Sequence, residues 1–409
     1  MNRKIFFWAL YDFANSVIIA NLTLYLSQWV IVDKGFQDIW YAISLVLSTV
    51  LLILTAPFLG SYSDRTRKRM HIIVPLTILI GISTISLGII GASSMPKVSR
   101  VIIVLILSVV IQYAYQLSLV LYDTLLPLLT TKQHFGKISG IGDGLGNLGF
   151  LLGLFITFPF INGTVTITGE PGRIQAFIPS GILFLLLSAP MLLTIRDMDS
   201  TGLPSPVLNF RHVLKGLRDV LKDRNILWFL AAFYFVSDAV LTIQSFFPIY
   251  FQQALGFSDM QKLIATSIVL IFIVIGAVML GRFSDRRGLK NTLIISTSVL
   301  TLLLAVFPFI STAAHVYLFL PIVGVFWGGF YAISRALLTR LSPPEKRGEF
   351  FSLYTIFRRF ASIVGPLLWS LTVLILAPLG NGKYRISMYP LIVLMALGVL
   401  MFRKIRSTE

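Results

Sequence analysis

Cysteine is absent from the chain, which excludes disulfides, thiolate metal sites and a cysteine nucleophile. Acidic residues are scarce, with 17 Asp and Glu in 409 residues, and charged residues of both signs make up only 12%, where soluble domains carry about a quarter. The four histidines, His71, His134, His212 and His315, lie far apart, without the close spacing that a metal site needs. No GxxxxGKS or GxxxxGKT segment is present, so transport powered by this chain's own ATP hydrolysis has no support. Gly144, Gly146 and Gly149 spell GxGxxG, but a dinucleotide site needs a preceding strand and a βαβ unit, and this stretch is an apolar helical run. Gly142, Gly146, Gly149 and Gly153 read instead as a small-residue stripe for close helix packing. With no nucleophile–base pair and no metal cluster, neither an enzyme nor a cofactor is expected.

What is abundant is apolar surface: 56% hydrophobic residues and a mean hydropathy of +0.86. Apolar runs long enough for a hydrocarbon core, which takes roughly 20 helical residues, recur at 5–32, 38–61, 71–92, 101–130, 138–161, 176–195, 225–253, 260–281, 291–311, 316–341, 351–378 and 386–402. The first has Asp12 and Asn15 in its middle and no clear cleavage site, so it reads as a retained helix rather than a signal peptide. Twelve runs put both termini on one side.

The net charge of +17 would suit a nucleic-acid binder if it were clustered on a soluble face. It is not. With the termini in the cytoplasm, the opposite side holds only Lys34, Lys97, Arg100, Arg173, Lys262, Lys383 and Arg385, and Arg335, Arg358 and Arg359 lie within spans. The remaining Lys and Arg face the cytoplasm, as the positive-inside rule requires. The expected partners are therefore membrane lipids and a small solute, with no nucleic acid, and the expected site is a bacterial inner membrane.

The chain also repeats itself. Gly60, Ser63, Asp64 and Arg65 reappear as Gly281, Ser284, Asp285 and Arg286, and LYDTLLP at 121–127 answers ISRALLT at 333–339. The two correspondences have offsets of 221 and 212, nine residues out of step, which a longer loop around Gly91–Arg100 explains. The expected architecture is an all-α integral membrane protein of two pseudo-symmetric six-helix bundles, 1–195 and 225–409, joined by a polar linker at 196–224 that contains an amphipathic stretch. Parallel halves of this kind define the major facilitator fold, whose solute site lies near the midplane.

A charge inside a bilayer is costly enough to be a functional hypothesis by default. Asp12 falls on one face of the first span with Tyr11, Asn15 and Ser16, and Asp238 on one face of the seventh with Tyr234, Thr242 and Ser245. Gln112, Gln116, Leu119 and Asp123 form a face of the fourth span, and Tyr331 and Arg335 are the repeat counterparts of Leu119 and Asp123. Tyr11, Asp12, Asn15, Gln112, Gln116, Tyr234, Asp238, Thr242 and Tyr331 are the candidates for solute or coupling ion. Interhelical hydrogen bonding that merely holds helices together is the competing reading. Asp123 and Arg335, with Asp143, Arg358 and Arg359 at similar depth, are candidates for a cytoplasmic charge network. Asp64, Arg65, Asp285 and Arg286, in the twin loop motifs, are candidates for conformational locking, each acid suiting the positive end of a helix.

The strings WALYDFANS (8–16), LYDTLLPLL (121–129), FLAAFYFVSDAVLTI (229–243), SRALLTRLSPPEKRGEFFSLY (334–354) and SIVGPLL (362–368) together resemble bacterial relatives of the autophagy-linked vacuolar amino-acid effluxers, a branch of the major facilitator superfamily. The resemblance implies export or efflux of a small solute such as a neutral amino acid. The expected mechanism is secondary transport by alternating access around a midplane site, with Asp12 and Asp238 as the candidate acceptors of a coupling proton or other ion. A monomer without metal is expected. Export or flipping of amphiphiles, lipids or drugs stays open through Phe246, Phe247, Trp327 and Phe330. A non-transporting membrane sensor stays open as well, although no stretch reads as a soluble output domain.

Overall fold

The computed structural model describes residues 3–66, 68–130, 135–197, 223–342 and 347–406. The side chains of Asp64, Arg65 and Asp143 and the amphipathic stretch of the linker lie outside the described residues. The described secondary structure is helical throughout, and twelve helices are long and apolar enough to cross a membrane. Two compact units result: residues 1–36 with 43–210, and residues 37–42 with 211–409.

The first unit contains α1 (Arg3–Asp33), α2 (Asp38–Thr66), α3 (Met70–Ala92), α4 (Lys97–Asp123), α5 (Phe135–Ile161) and α6 (Phe177–Thr194), except that the first turn of α2 groups with the second unit. Helix α1 is its axis and packs on both α5 and α6. The glycine stripe makes this possible, since a Cβ at Gly149 would sit 2.3 Å from the Phe13 carbonyl oxygen and one at Gly153 2.9 Å from Val17 Cα. Polar side chains then bind the three helices through donors and acceptors that lipid cannot satisfy. The Asn21 amide donates to Ser180 Oγ on α6 (3.0 Å), and Thr157 Oγ1 on α5 donates to Asn21 Oδ1 (2.8 Å).

The second unit contains α7 (Arg224–Gln253), α8 (Asp259–Arg287), α9 (Leu289–Val306), α10 (Ala313–Leu341), α11 (Arg347–Phe360), α12 (Val364–Ile375) and α13 (Met388–Arg403). Its helix ends are written locally in the sequence. Asp223 accepts from the amides of Asn225 and Ile226 to open α7, Ser258 and Gln261 form a capping box on α8, and Gly288 with φ +83° closes α8. Helices α8 and α10 touch backbone to backbone, because a Cβ at Gly328 would lie 1.9 Å from the Ile273 carbonyl oxygen. Apolar side chains on the outer faces are exposed, Leu193, Leu318 and Ile375 each by more than 70%, as a lipid-facing surface requires.

Helices α11 and α12 are two pieces of one span. Pro366 has no N–H for the Ser362 carbonyl, and in a continuous helix its ring would collide with that group. The chain therefore leaves the helix at Ala361, Ser362 and Ile363 and re-enters at Val364.

Candidate functional site

In the first unit the polar face of α1 splits into a buried part and a part turned to α5. Tyr11 is fully buried. Its hydroxyl is 2.9 Å from Thr77 Oγ1, and its ring lies 5.4 Å from that of Tyr122. Tyr122 in turn stacks on Trp8 at 4.6 Å and donates to the Trp8 carbonyl (3.0 Å). Asn15 is buried as well; its amide donates to the Tyr11 carbonyl (3.0 Å), and its Oδ1 has no protein partner. Asp12 is half-buried and lies against α5, where a Cβ at Gly146 would meet its Oδ2 at 3.0 Å and Ser16 Oγ at 3.3 Å. The glycine therefore makes room for the carboxylate. On α4, Gln112 is buried, Gln116 is half-buried, and Asp123 is exposed at the helix end.

In the second unit the conspicuous acid is Asp238, fully buried in α7. Its Oδ2 accepts from the Gly365 amide at 2.8 Å, and the amides of Ile363 and Val364 face the same carboxylate. Those amides belong to the point where α12 begins, so the carboxylate meets a positive helix end. Its Oδ1 is buried without a hydrogen-bond partner. Thr242, one turn on, is also fully buried; its hydroxyl donates to the Asp238 carbonyl (2.7 Å), and it is the atom closest to the missing Cβ of Gly365, at 2.1 Å.

Tyr234 and Tyr331 are half-buried. The Arg358 guanidinium stands 5.2 Å over the Tyr331 ring, a cation–π contact that ties the last turn of α11 to α10. Arg335, Arg358, Asp285 and Arg286 are exposed, and Arg359 is half-buried.

Sequence reasoning passes over Asp38. An acid opening an apolar helix is the ordinary occupant of that position, and nothing in the string around it names a partner. The structure gives it two: Trp369 Nε1 on α12 donates to Oδ1 and the Tyr384 hydroxyl to Oδ2, each at 3.4 Å. All three residues are buried. Phe246 packs on Trp369 at 5.4 Å and on Tyr41 at 5.6 Å, so this corner of the second unit is aromatic around one carboxylate.

Outside the spans, Glu170 gathers the loops of the first unit. It accepts from Lys34 at 2.5 Å and Arg100 at 2.9 Å, while its own amide donates to the Ala92 carbonyl (2.9 Å). The hydrogen bond from Lys34, reinforced by Arg100, holds the Glu170 carboxyl below the usual carboxylate range. Arg173 pairs with Asp33 beside it.

Comparison with known proteins agrees with this architecture. Residues 23–407 match the family described as "Vacuole effluxer Atg22 like". The chain is 24% identical to the uncharacterized MFS-type transporter YxiO of Bacillus subtilis over 96% of its own length and 92% of the relative's. It is 23% identical to autophagy-related protein 22 of Vanderwaltozyma polyspora over 85% and 74% of the two chains. Among solved structures, a bacterial homologue of the human lysosomal transporter Spinster superposes with a TM-score of 0.78 at 13% identity, covering 99% of this chain and 98% of that one. A D-xylose–proton symporter superposes with a TM-score of 0.71 at 14% identity, covering 99% and 97%. At these identities the structures establish the fold.

Proposed function

Because the chain belongs to the Atg22-like effluxer family of major facilitator transporters, we propose that it exports a small solute, a neutral amino acid or a related metabolite, by secondary transport coupled to a proton. The observation that carries this reading is the buried Asp238 carboxylate, one oxygen of which has no protein partner. A transporter that carries a proton needs an ionisable group within its spans, and such groups are rarely retained there without a task. Asp12, half-buried beside Gly146, is the second candidate. Gln112 and Gln116 in the first unit, and Tyr234 and Tyr331 in the second, are half-buried or buried polar groups of the kind that suit an amino and a carboxyl group. Tyr11 and Thr242 each serve their own unit from inside its helix packing.

The protein works as a monomer in a bacterial inner membrane with both termini cytoplasmic, the side that carries most of its Lys and Arg. Asp285, Arg286, Arg335, Arg358 and Arg359 act there on conformation rather than on solute. Export of amphiphiles draws less support, since Phe246 and Phe330, two of the aromatics that would line such a path, are fully buried in the packing of the second unit.

The test uses proteoliposomes. A screen of amino acids, sugars, drugs and lysolipids for thermal stabilisation in detergent identifies the solute, and transport of that solute is then driven by an imposed pH gradient. Asp238→Asn is expected to keep solute stabilisation and lose the response to the gradient. A gradient response equal to wild type in both Asp238→Asn and Asp12→Asn would remove proton coupling from these two acids.

A further inference from the structure

The eleventh span is interrupted at Ala361–Ser362–Ile363, and its two pieces are fastened to different neighbours. Helix α11 is held by its aromatic residues: Tyr354 stacks on Phe233 of α7 at 4.2 Å, and Arg358 covers Tyr331 of α10. Helix α12 is held by its N-terminus and its middle: the Gly365 amide bonds Asp238, Gly365 abuts Thr242, and Trp369 bonds Asp38. Pro366 accounts for the break itself but leaves a second problem. In a continuous helix the Gly365 amide would donate to the Ala361 carbonyl; here the chain has turned away, and a buried amide left without an acceptor is costly. A side chain from another helix supplies the acceptor.

We propose that Asp238 is the positioning residue of this break: its carboxylate fixes where α12 begins and so makes α11, which carries Arg358 and Arg359, a piece that moves separately from α12. The role belongs to an acceptor oxygen rather than to a charge, which sets it apart from proton coupling. It rests on the transport reading only in that the moving piece serves transport. Two other residues at this point, Thr242 and Gly365, are arranged to keep the oxygen in place. The Thr242 hydroxyl returns to the backbone of its own helix and does not compete for the carboxylate, and the missing Cβ of Gly365 lets the two backbones approach.

The test separates oxygen from charge. Asparagine at this position retains an acceptor oxygen, alanine retains none. Hydrogen exchange is followed by mass spectrometry on the detergent-solubilised chain without solute. Peptides covering 361–367 are expected to exchange at least tenfold faster in Asp238→Ala than in wild type and within about twofold of wild type in Asp238→Asn, while the α8 and α10 amides around Gly276 and Gly328 stay unchanged in both. Unchanged exchange at 361–367 in Asp238→Ala overturns the proposal, and so does a rise spread equally over α8 and α10, which would mark general loosening. If Asp238→Ala is not recovered folded, the wild type decides: the Gly365 amide must rank among the slow amides of its unit, and fast exchange there refutes the anchor. Because Asp238→Asn is predicted to keep the break and lose the gradient response, failure of proton coupling and failure of the anchor give different results.

Discussion

Gly365→Ala tests the contact on which the α7–α12 packing depends. The added Cβ would stand 2.1 Å from Thr242 Oγ1 and 3.1 Å from the Asp238 carbonyl oxygen, so one of the two helices must give way. Overpacking of this kind costs about 1–3 kcal/mol. The displaced amide also weakens its 2.8 Å bond to Asp238, and a hydrogen bond to an acceptor oxygen is worth about 0.5–1.5 kcal/mol. A total near 3 kcal/mol corresponds to a fall in melting temperature of roughly 6–12 °C for a unit of about 200 residues. The decisive step is the double variant. Thr242→Ala removes the 2.1 Å clash and leaves the two 3.1 Å contacts, to the Asp238 carbonyl oxygen and to the Cβ at 242, so the two substitutions together should cost less than the sum of the two alone, with a coupling of about 1–2 kcal/mol, within the range for touching residues. Tryptophan fluorescence during heating in detergent reads all four proteins. The reasoning is refuted if Gly365→Ala melts with wild type, or if the two single losses simply add.

Gly328→Ala places a Cβ 1.9 Å from the Ile273 carbonyl oxygen; no side chain can yield there, so the cost should reach at least the upper part of the ~1–3 kcal/mol overpacking range, visible as a larger melting loss than Gly365→Ala. Tyr122→Phe removes the 3.0 Å bond to the Trp8 carbonyl and keeps the 4.6 Å stack, so a loss of about 1 kcal/mol is expected in the same melting assay. Glu170 has a folded-state pKa below its ordinary value of 4.5; its contribution is therefore present above that value and is lost as pH falls through the lower, folded-state value. Hydrogen exchange over 165–172 should accordingly speed up relative to α8 as pH is lowered below 4.5, whereas Glu170→Gln should start fast and show no such acid-dependent step.

The number and order of the spans were legible because they depend on one-dimensional quantities, run length and hydropathy. That Asp238 falls inside a long apolar helix was legible for the same reason. Its partner was not, since that partner is a backbone amide in SIVGPLL, a string that reads as uninterrupted apolar helix until Pro366 is given its steric weight. Once the missing N–H is set against the Ser362 carbonyl, the break at 361–363 follows from local chemistry alone. The glycine stripe of α5 was recognisable as a packing surface, but only the fold identifies α1 as the helix that fills it and shows Gly146 making room for Asp12. Asp38 had no signal of its own, because its partners Trp369 and Tyr384 are more than 300 positions away in the chain.

Asp12, Asp38 and Asp238 are the same side chain in an apolar chain, and their surroundings divide the tasks. Asp38 is held by two neutral side-chain donors, an indole and a phenol, which fix its geometry from both oxygens. Asp12 is half-buried against Gly146, whose missing Cβ makes the space that its carboxylate fills. Asp238 has one oxygen committed to a helix end and the other uncommitted, so it alone is equipped for two roles at once. A carboxylate that anchors the start of α12 through one oxygen can exchange a proton at the other without releasing the helix. The substitutions by asparagine and alanine matter for that reason: asparagine should abolish the exchange and preserve the anchor, alanine should abolish both, and no assignment of Asp238 to a single role predicts that pair of results.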